Sequence, residues 1–461
     1  MGGVPCPDNG PGRTRVPGSL ARMSVEDPLQ HEATEVLSRL IRHNTVNPPG
    51  NERPAQEELA AMLRDAGLEV ELLGSSEERP NLIARLRAPD AAPGPTLCLL
   101  SHVDTVLAHA EDWTHDPWSG AVDEEGVLWG RGAQDMKSQT ATEVVAAVSL
   151  AREGWRPARG ELLVVAVVDE EVGGTEGAIW LTDNHPDKVR CDYLLNEGAG
   201  AVFPVDGERA YGVCLAEKGV FRFRLITDGE AGHASNPRLG SNSLLTMAPF
   251  LQAMADRQPA FDITDPPRAL FAELGIPLDG DPVGALAELE RRDPVLANLV
   301  APMLGVTLAP TRITASEKIN VIPSRTVVSV DCRTPPGTDD EAALRRIHEV
   351  LGGEGYRIEV TERVIGNGSP AETPLMDAIR SFIAVEDAGA RVLPTMLPAF
   401  TDSRTFRAAF PECVAYGFFP QKHMSLYESW PLVHNADERI HTNDLGLATR
   451  CYRHVARTLL G

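Results

Sequence analysis

Three short apolar segments, the first two separated by a helical segment, set the strongest constraint on the fold. The apolar segments span residues 96–100, 162–168 and 193–195 and are apolar at nearly every position. Residues 138–152 lie between the first two segments, are rich in Ala and Val, and have helical character. Continuous apolar strands joined by a crossover helix are typical of a mostly parallel sheet flanked by helices on both faces. The sequence therefore predicts the α/β class.

The pattern changes in the second half of the chain. Residues 213–229 and 325–333 alternate apolar and polar side chains, which is typical of half-exposed antiparallel strands. Helical α/β character returns at residues 374–385. We therefore predict a large α/β domain in two parts, interrupted by a smaller α+β domain; the two parts span residues 24–214 and 367–461, and the inserted domain spans residues 215–366.

The first 23 residues are rich in Pro, Gly and Arg and lack the apolar core of a secretory signal. We predict that residues 1–23 are a disordered extension. Met23 precedes a helix start and is a candidate initiator.

Composition excludes several classes of function. The 43 basic side chains face 66 acidic ones, a formal net charge of −23. Such an acidic surface repels phosphate backbones and anionic lipids, which argues against nucleic acid and membranes as partners. The seven cysteines are scattered and form no Cys-x-x-Cys pair. This pattern favours a reducing compartment, and we predict a cytoplasmic protein.

Each apolar segment is followed by side chains that bind metal ions in other proteins. His102 and Asp104 follow the first segment, Glu170 and Glu171 the second, and Glu197 the third. Ligands of open parallel sheets bind beyond the carboxyl ends of the strands, so these three sites are expected to converge on one crevice.

Asp135 belongs to the same prediction. It lies in the turn GRGAQDMK, just before the crossover helix. Singly, a histidine or an acidic residue at any of these places is most often ordinary surface or a helix cap. Together they indicate a cation, because apolar strands do not repeatedly end in uncompensated carboxylates. Imidazole with several carboxylates suits zinc, with cobalt or manganese as substitutes.

Several motifs, in order along the chain, resemble one family of enzymes. They are SHVDTV, WTHDPWSGAVDEEGVLWGRGAQDMK, DEEVGG, NEGAG, GEAGHAS, KINVIPS, DCRTPPG, FTDSRTFR and VHNADE. The chain is similar to the co-catalytic zinc peptidases and deacylases, the family of glutamate carboxypeptidase, aminoacylase, acetylornithine deacetylase, succinyl-diaminopimelate desuccinylase and carboxypeptidase S. The resemblance implies a zinc-peptidase-like catalytic domain, with the inserted domain serving as a lid and dimerisation domain.

The resemblance also implies a site with two Zn²⁺ ions per chain. Asp135 would bridge the ions, and a cis peptide would follow it. The metal ligands implied by the family are His102, Asp135, Glu171, Glu197 and His434. His102 and Glu197 would complete one metal site, and Glu171 and His434 the other, with Asp104 orienting His102.

The charges of the implied site balance. Two divalent ions carry +4, three carboxylates carry −3, and one bridging hydroxide makes the centre neutral. Glu170 lies beside a ligand without being needed as one, which suits a general base. In the inserted domain the resemblance implies that His233 polarises the scissile carbonyl. Substrate-binding roles fall to Lys318, Asn320, Arg333 and Arg404, the last to meet a substrate carboxylate.

These features predict a di-zinc hydrolase that cleaves the amide bond of a small carboxylate-bearing substrate: an N-acyl amino acid, a dipeptide or a C-terminal residue. The expected assembly is a homodimer formed through the lid. One alternative is a narrow biosynthetic deacylase of the acetylornithine deacetylase or succinyl-diaminopimelate desuccinylase type. The other is a non-catalytic binding protein on the same fold.

Overall fold

The structure, a computed structural model, describes residues 27–461, so the predicted extension at residues 1–23 lies outside the described residues. The helices are α1 (Pro28–Arg42), α2 (Arg53–Asp65), α3 (Lys137–Arg152), α4 (Ala178–Asn184), α5 (Pro186–Val189), α6 (Ser243–Asp256), α7 (Asp265–Glu273), α8 (Pro282–Arg292), α9 (Pro294–Val300), α10 (Asp340–Leu351), α11 (Pro374–Glu386), α12 (Ser403–Ala409), α13 (Leu426–Ser429) and α14 (Thr442–Leu460). The strands are β1 (Glu69–Leu73), β2 (Asn81–Arg87), β3 (Thr96–His102), β4 (Val127–Trp129), β5 (Glu161–Val167), β6 (Tyr193–Asn196), β7 (Ala201–Val205), β8 (Glu208–Glu217), β9 (Gly219–Asp228), β10 (Gly232–His233), β11 (Thr307–Thr314), β12 (Val321–Ile322), β13 (Arg325–Thr334), β14 (Arg357–Val364), β15 (Arg391–Leu397), β16 (Val414–Gly417), β17 (Gln421–Ser425) and β18 (Arg439–His441).

A large mixed sheet forms the centre of the molecule. Its strand order is β1-β2-β5-β3-β6-β16-β8-β7-β17, and β15 pairs with β8. The four strands β5, β3, β6 and β16 run parallel to one another. Helices α1, α2, α3, α11 and α14 pack in one apolar core on one side, and α4 and α12 pack in another core. This arrangement confirms the predicted α/β class with a mostly parallel sheet flanked by helices.

Helix α3 shows why the crossover is rich in small side chains. Every residue from Lys137 to Ala151 is buried, because α3 is covered by α1 and α14 as well as by the sheet. Small alanine and valine side chains permit this close approach on all sides. Helix α3 begins directly after Asp135–Met136, a cis peptide bond as the resemblance implied. The buried helix therefore fixes the position of the turn that carries Asp135.

A smaller antiparallel sheet has the order β11-β13-β9-β14. Helices α6 and α10 pack against it through an apolar core that includes Phe223, Met247 and Ile347. A two-stranded ladder of β10 and β12 lies nearby in sequence. None of the helices within residues 27–461 is long and apolar enough to cross a bilayer.

The alternating segment at residues 213–229 is two strands in two different sheets, and the prediction of half-exposed strands was wrong for the first of them, β8. Strand β8 belongs to the large sheet, β9 belongs to the small sheet, and Lys218 lies between them. Residues of β8 are buried on both faces: Val213 and Leu215 enter one core, while Ala210 and Ala216 enter another. Its side chains therefore alternate between two cores, and not between core and solvent.

Helices α7 to α9 also pack on the large sheet. Leu270 and Leu296 of these helices share an apolar core with Phe203 of β7 and Leu393 of β15. By sequence they fall inside the predicted inserted domain, yet their packing partners are strands outside it. The domain limits at residues 215 and 366 stay a prediction.

Candidate metal centre

The carboxyl ends of three neighbouring parallel strands bring the predicted ligands together. His102 is the last residue of β3 and pairs with Val167, the last residue of β5. Glu170 and Glu171 follow β5 after a short turn, and Glu197 follows β6 directly. The parallel pairing of β5, β3 and β6 is therefore the reason that sequence-distant side chains share one crevice.

Asp135 lies between two histidines. Its Oδ1 is 3.2 Å from His102 Nε2, and its Oδ2 is 3.1 Å from His434 Nε2. Glu197 Oε1 lies 3.6 Å from His102 Nε2, and Glu171 Oε2 lies 3.1 Å from His434 Nε2. The structure thus places one histidine and one glutamate on each side of Asp135.

His434 differs from the other members of this cluster. Its side chain is 53% exposed, whereas that of His102 is 1% exposed. Its φ of +60° is unusual for a residue with a side chain and is a local backbone strain of the kind found at functional sites. His434 therefore reaches the cluster from the rim of the crevice.

Asp104 supports both the histidine and the glutamates. The Nδ1 of His102 lies 3.0 Å from the Asp104 carbonyl oxygen and 3.4 Å from its carboxylate Oδ1. The Asp104 carboxylate accepts hydrogen bonds from the backbone N–H groups of Glu170 and Glu171. Asp104 therefore orients His102 mainly through its carbonyl and holds the Glu170–Glu171 turn with its side chain.

Asn47 is a buried residue of the site that the sequence analysis did not identify. Its amide donates to Asp104 Oδ2 at 2.9 Å and to Asp169 Oδ1 at 3.0 Å. An Asn before two prolines is typical of a turn, and its long-range partners have no local sequence signal. Asn47 connects the turn after β3 with the turn after β5.

Glu438 is a second residue without an assigned role in the sequence analysis. It is fully buried, and its carboxylate accepts hydrogen bonds from the backbone N–H groups of Gly132, Gln134 and Asp135. It also forms an ion pair of 2.6 Å with Arg131. In the sequence, only the position of Glu438 four residues after His434 indicated a role at the site. Through these hydrogen bonds, Glu438 holds the loop that carries His434 against the turn that carries Asp135.

Glu170 points into the same crevice with Asp402 nearby. Glu170 Oε2 is 3.9 Å from His102 Nε2. Burial raises the pKa of Glu170 well above its ordinary value, with repulsion from Glu197 and Asp402 adding to the effect. Burial likewise raises the pKa of Asp402 to about 7. The crevice therefore holds more acidic groups than the predicted ligands alone.

The electrostatics of the cluster fit a bound cation. Burial and then repulsion from Asp135 raise the pKa of Glu197 to about 8 and that of Glu171 to about 7. Glu171 Oε1 is buried and accepts no hydrogen bond from any described residue. Within residues 27–461 no lysine or arginine forms an ion pair with these carboxylates. Divalent metal ions would supply the missing positive charge and the missing partner.

Two triads of ligand atoms are each compact enough to hold an ion. They are His102 with Asp135 and Glu171, and His102 with Glu170 and Glu197, the atoms of each triad lying within 4.8 Å of one another. The second triad includes Glu170, which the resemblance implies as a base and not as a ligand. Both Glu170 and Glu171 therefore lie close enough to the other ligand atoms to bind an ion.

A cavity of about 1300 Å³, including its open mouth, surrounds the cluster. Phe400 forms part of its wall, and the guanidinium groups of Arg404 and Arg333 lie 4.2 Å and 5.7 Å from the centre of that ring. Arg404 Nε and Arg333 Nη1 are buried and have no hydrogen-bond partner among the described residues. The structure brings these two predicted substrate-binding residues together around Phe400, although neither of them lines the cavity and Arg333 also pairs with Asp331.

The other predicted residues of the inserted domain lie elsewhere. His233 is exposed, and its ring contacts Ser235, with Nδ1 2.8 Å from the Ser235 hydroxyl. Lys318 and Asn320 are exposed, and the carbonyl of Asn320 accepts a hydrogen bond from the N–H of Ala234. These three residues therefore cluster around the β10–β12 ladder. None of the three lines the cavity around the metal cluster.

Known proteins resemble this chain along most of its length. Aminoacylase-1 of Mus musculus is 28% identical over 430 residues, which cover 91% of this chain and 93% of that protein. Succinyl-diaminopimelate desuccinylase of Hydrogenovibrio crunogenus is 24% identical over 93% of this chain and 99% of that protein. The crystal structure of an M20 family metallo-carboxypeptidase from Sulfolobus solfataricus shares the fold, with a TM-score of 0.72, 17% identity, and coverage of 93% of this chain and 99% of that one.

A family model describes residues 98–458, a range that contains every predicted ligand. This match confirms the resemblance drawn from the motifs and identifies the chain as an enzyme of the metal-dependent amidohydrolase and peptidase type, with a metal cofactor that is generally zinc. The chain belongs to the peptidase family M20/M25/M40.

Proposed function

We propose that this protein is a two-metal hydrolase that cleaves the amide bond of a small substrate bearing a free carboxylate. N-acyl amino acids, dipeptides and C-terminal residues all fit this description. One observation carries the proposal: the two oxygens of Asp135 face different histidines, at 3.2 Å and 3.1 Å. A carboxylate in that position can serve two ions at once.

The residues that would hold the two ions are those of the cluster. His102 and Glu197 would bind one Zn²⁺, Glu171 and His434 the other, and Asp135 both. When bound, such a pair supplies a Lewis acid for the scissile carbonyl and lowers the pKa of water near it. Co²⁺ or Mn²⁺ suits the same nitrogen and oxygen donors.

Glu170 is the side chain placed to move protons. It lies beside the cluster, and no lysine or arginine of the described residues neutralises it. As a general base it would take a proton from the attacking water and then pass that proton to the nitrogen of the departing amine. Asp104 holds the backbone of Glu170 and so fixes the direction of its side chain.

Arg404 and Arg333 are placed to bind the substrate carboxylate. Each has one buried guanidinium N–H without a hydrogen-bond partner among residues 27–461, and both guanidinium groups lie near the Phe400 ring at the wall of the cavity. A substrate carboxylate would satisfy these donors, which water or an apolar group would do less well. This subsite favours substrates with a free acid group next to the cleaved bond.

A narrow biosynthetic deacylase is the second candidate. The desuccinylase of Hydrogenovibrio crunogenus covers as much of this chain as the aminoacylase of Mus musculus. Such an enzyme would accept one acyl group and reject others. A non-catalytic binding protein is disfavoured, since all five proposed ligands and the proposed base are present.

A substrate panel separates these candidates. The enzyme, stripped of metal and reloaded with Zn²⁺ or Co²⁺, is offered N-acetyl and N-succinyl amino acids and dipeptides, and amine release is measured. We expect hydrolysis of several N-acyl amino acids. The Glu170→Gln variant, purified in the same way, controls for contaminating hydrolases. Hydrolysis of a single N-succinyl or N-acetyl substrate would favour the narrow deacylase, and no hydrolysis of any member would overturn the proposal.

The assembly and location belong to the same proposal. We propose a homodimer formed through the inserted domain, and a cytoplasmic location for an enzyme of small substrates. Size-exclusion chromatography with light scattering tests the dimer, and a monomer at micromolar concentration would contradict it.

A further inference from the structure

A second cavity adjoins the one that contains the metal cluster. Its volume is about 660 Å³, including its open mouth. The two cavities share part of their walls, so they are neighbouring compartments of one space. The residues that line both are Gly198, Ala199, Ala201, Leu397, Leu426 and Trp430.

The second cavity is almost entirely apolar. None of its lining residues is charged, and apart from Trp430 the only side chain with a polar atom is Thr395. The Thr395 hydroxyl faces the sulfur of Met303 at 3.9 Å. A charged or strongly polar group would lose its hydration there without finding a partner. The cavity therefore favours hydrocarbon groups over charged or strongly polar groups.

Helices α7 and α9 create this cavity. Leu270, Leu296, Leu299 and Met303 of this helical region face the large-sheet residues Phe203 and Leu393 across it. Without these helices the same sheet face would be exposed to water. The helical segment thus turns an apolar sheet face into an enclosed pocket that opens beside the metal cluster.

The charged part of the substrate has its own place. The two guanidinium donors of Arg404 and Arg333 that have no partner in the described part of the chain lie near Phe400, which lines the metal cavity but not the apolar one. An amino acid bound there through its carboxylate leaves the acyl group on the other side of the scissile amide. That acyl group is the part of the substrate free to enter the apolar cavity.

We infer that the apolar cavity is the acyl subsite and that it takes an unbranched aliphatic acyl chain of the substrate. The preferred substrates are then N-acyl amino acids whose acyl group is longer than acetyl. This inference rests on the proposed function, because it names the substrate class of the same site. It also predicts that charged acyl groups such as succinyl are poor substrates.

A homologous series tests the subsite in the zinc-loaded wild-type enzyme. N-acetyl-, N-butanoyl-, N-hexanoyl- and N-octanoyl-alanine are compared by kcat/KM at constant pH. Each buried methylene stabilises the bound state enough for a gain of about threefold to fourfold, so kcat/KM should rise steadily until the cavity is full. A parallel series varies the amino acid in place of the acyl group, with N-acetyl-alanine, N-acetyl-norvaline and N-acetyl-norleucine. That series should show a much smaller gain.

A cavity-filling variant tests the location. Leu299 lines the apolar cavity, is partly exposed, and does not line the metal cavity. Leu299→Trp should remove most of the gain in kcat/KM that the hexanoyl and octanoyl substrates show over N-acetyl-alanine. Val295→Trp is the matched control, because Val295 lies on the same helix, is 48% exposed and lines neither cavity. It should behave like the wild type.

The outcomes distinguish failure of the acyl subsite from failure of the proposed function. No hydrolysis of any member of either series would overturn the proposed function itself. Hydrolysis that does not change with acyl length would leave the proposed function standing and overturn the acyl subsite. A rise in kcat/KM with the length of the amino acid side chain would show that the cavity holds that side chain and not the acyl group. The wild-type series separates these outcomes even if Leu299→Trp fails to fold.

Discussion

Glu438 Oε1 accepts a hydrogen bond of 2.9 Å from the backbone N–H of Asp135. The same carboxylate accepts bonds from the N–H groups of Gly132 and Gln134. The turn that carries the proposed bridging residue is therefore held by a buried carboxylate from the far end of the chain. We therefore propose Glu438 as a positioning residue, which would act on the proposed metal site through Asp135.

Replacing Glu438 with glutamine should weaken metal binding. The new amide group would place its own N–H donors against backbone N–H groups and would leave Arg131 without its buried partner. We expect a loss of about 3 kcal/mol in the free energy of unfolding, together with a weaker affinity for zinc in a metal titration. Activity should recover at higher zinc concentration, which a general loss of structure would not allow.

The control for Glu438 is Asp437→Asn on the same loop. Asp437 caps the backbone N–H of Thr114 and has a positive φ, which asparagine tolerates well. It should bind zinc normally. Wild-type zinc affinity in Glu438→Gln would show that the carboxylate does not position Asp135.

Replacing Asp135 should lower the metal content of the protein more than replacing any other proposed ligand. Asp135→Ala is expected to lose both ions, because one carboxylate faces both histidines, whereas Glu197→Ala should lose mainly one. Metal content after gel filtration, measured by atomic emission, gives the stoichiometry. Glu176→Ala is a suitable control, since Glu176 pairs with Arg79 outside the cluster. A normal metal content in Asp135→Ala would exclude the bridging role.

Glu170→Gln should separate metal binding from proton transfer. Glutamine keeps the size of the side chain but cannot act as a base, so we expect normal metal content with turnover lower by a factor of about 10² to 10⁴. Metal content and kcat are measured on the same preparation. If the variant loses metal, Glu170 is a ligand and Glu171 becomes the candidate base, as the triad of His102, Glu170 and Glu197 would allow.

His233 is expected to act on the substrate although it does not line the metal cavity. A hinge movement of the inserted domain, or a partner subunit, would have to bring it there. His233→Ala should then lower kcat strongly and leave metal content and KM nearly unchanged. Ser235→Ala removes the hydroxyl that contacts the ring and should have a small effect.

Mixed dimers locate the action of His233. Subunits carrying His233→Ala are combined with subunits carrying Glu170→Gln, and exchange is verified by native mass spectrometry. Recovered activity would show that the histidine serves the site of its partner. No recovery after verified exchange would place it in its own chain.

Glu143 predicts a pH dependence of stability. It is fully buried on α3, one oxygen accepts a bond of 2.8 Å from Gln139, and the other has no partner among the described residues. Burial raises its pKa from 4.5 to about 8. Between these values the unfolded chain has released this proton and the folded chain retains it, so stability falls as the pH rises through this range.

Glutamine at position 143 imitates the protonated acid and removes this dependence. We expect Glu143→Gln to match the wild type near pH 4.5 and to exceed it increasingly up to about pH 8, by on the order of 4 kcal/mol or less. Thermal unfolding of both proteins across this range measures the difference. Parallel curves for the two proteins would show that Glu143 is ionised in the folded state.

The sequence predicted the centre of the sheet, and it suggested the proposed ligands, because both leave local signals. Strands β3, β5 and β6 are buried on both faces and must be apolar throughout, so His102 and Glu197 stand out where the apolar segments end. The positions of these strands were predicted to within a few residues. A strand that is covered on both faces can thus be recognised from the sequence of that strand alone.

Other features cannot be predicted from a local pattern, because they depend on contacts with residues that are distant in the sequence. The alternation in β8 reflects two different cores, and it resembles the alternation of a half-exposed strand. Glu438 and Asn47 are polar residues whose burial depends on distant backbone groups. The helices α7 and α9 have apolar faces, but nothing in their own sequences indicates which sheet those faces will cover.

Strand order has a consequence for how the chain folds during synthesis. Strand β16, near the carboxyl end, lies between β6 and β8 in the sheet, and β17 pairs with β7. A nascent chain that has produced β3, β5 and β6 therefore presents an open, apolar strand edge until residues 414–417 leave the ribosome. His434 emerges later still. A polypeptide that has not reached residue 434 lacks one of the proposed ligands, so the proposed two-metal site can be completed only after His434 has been synthesised.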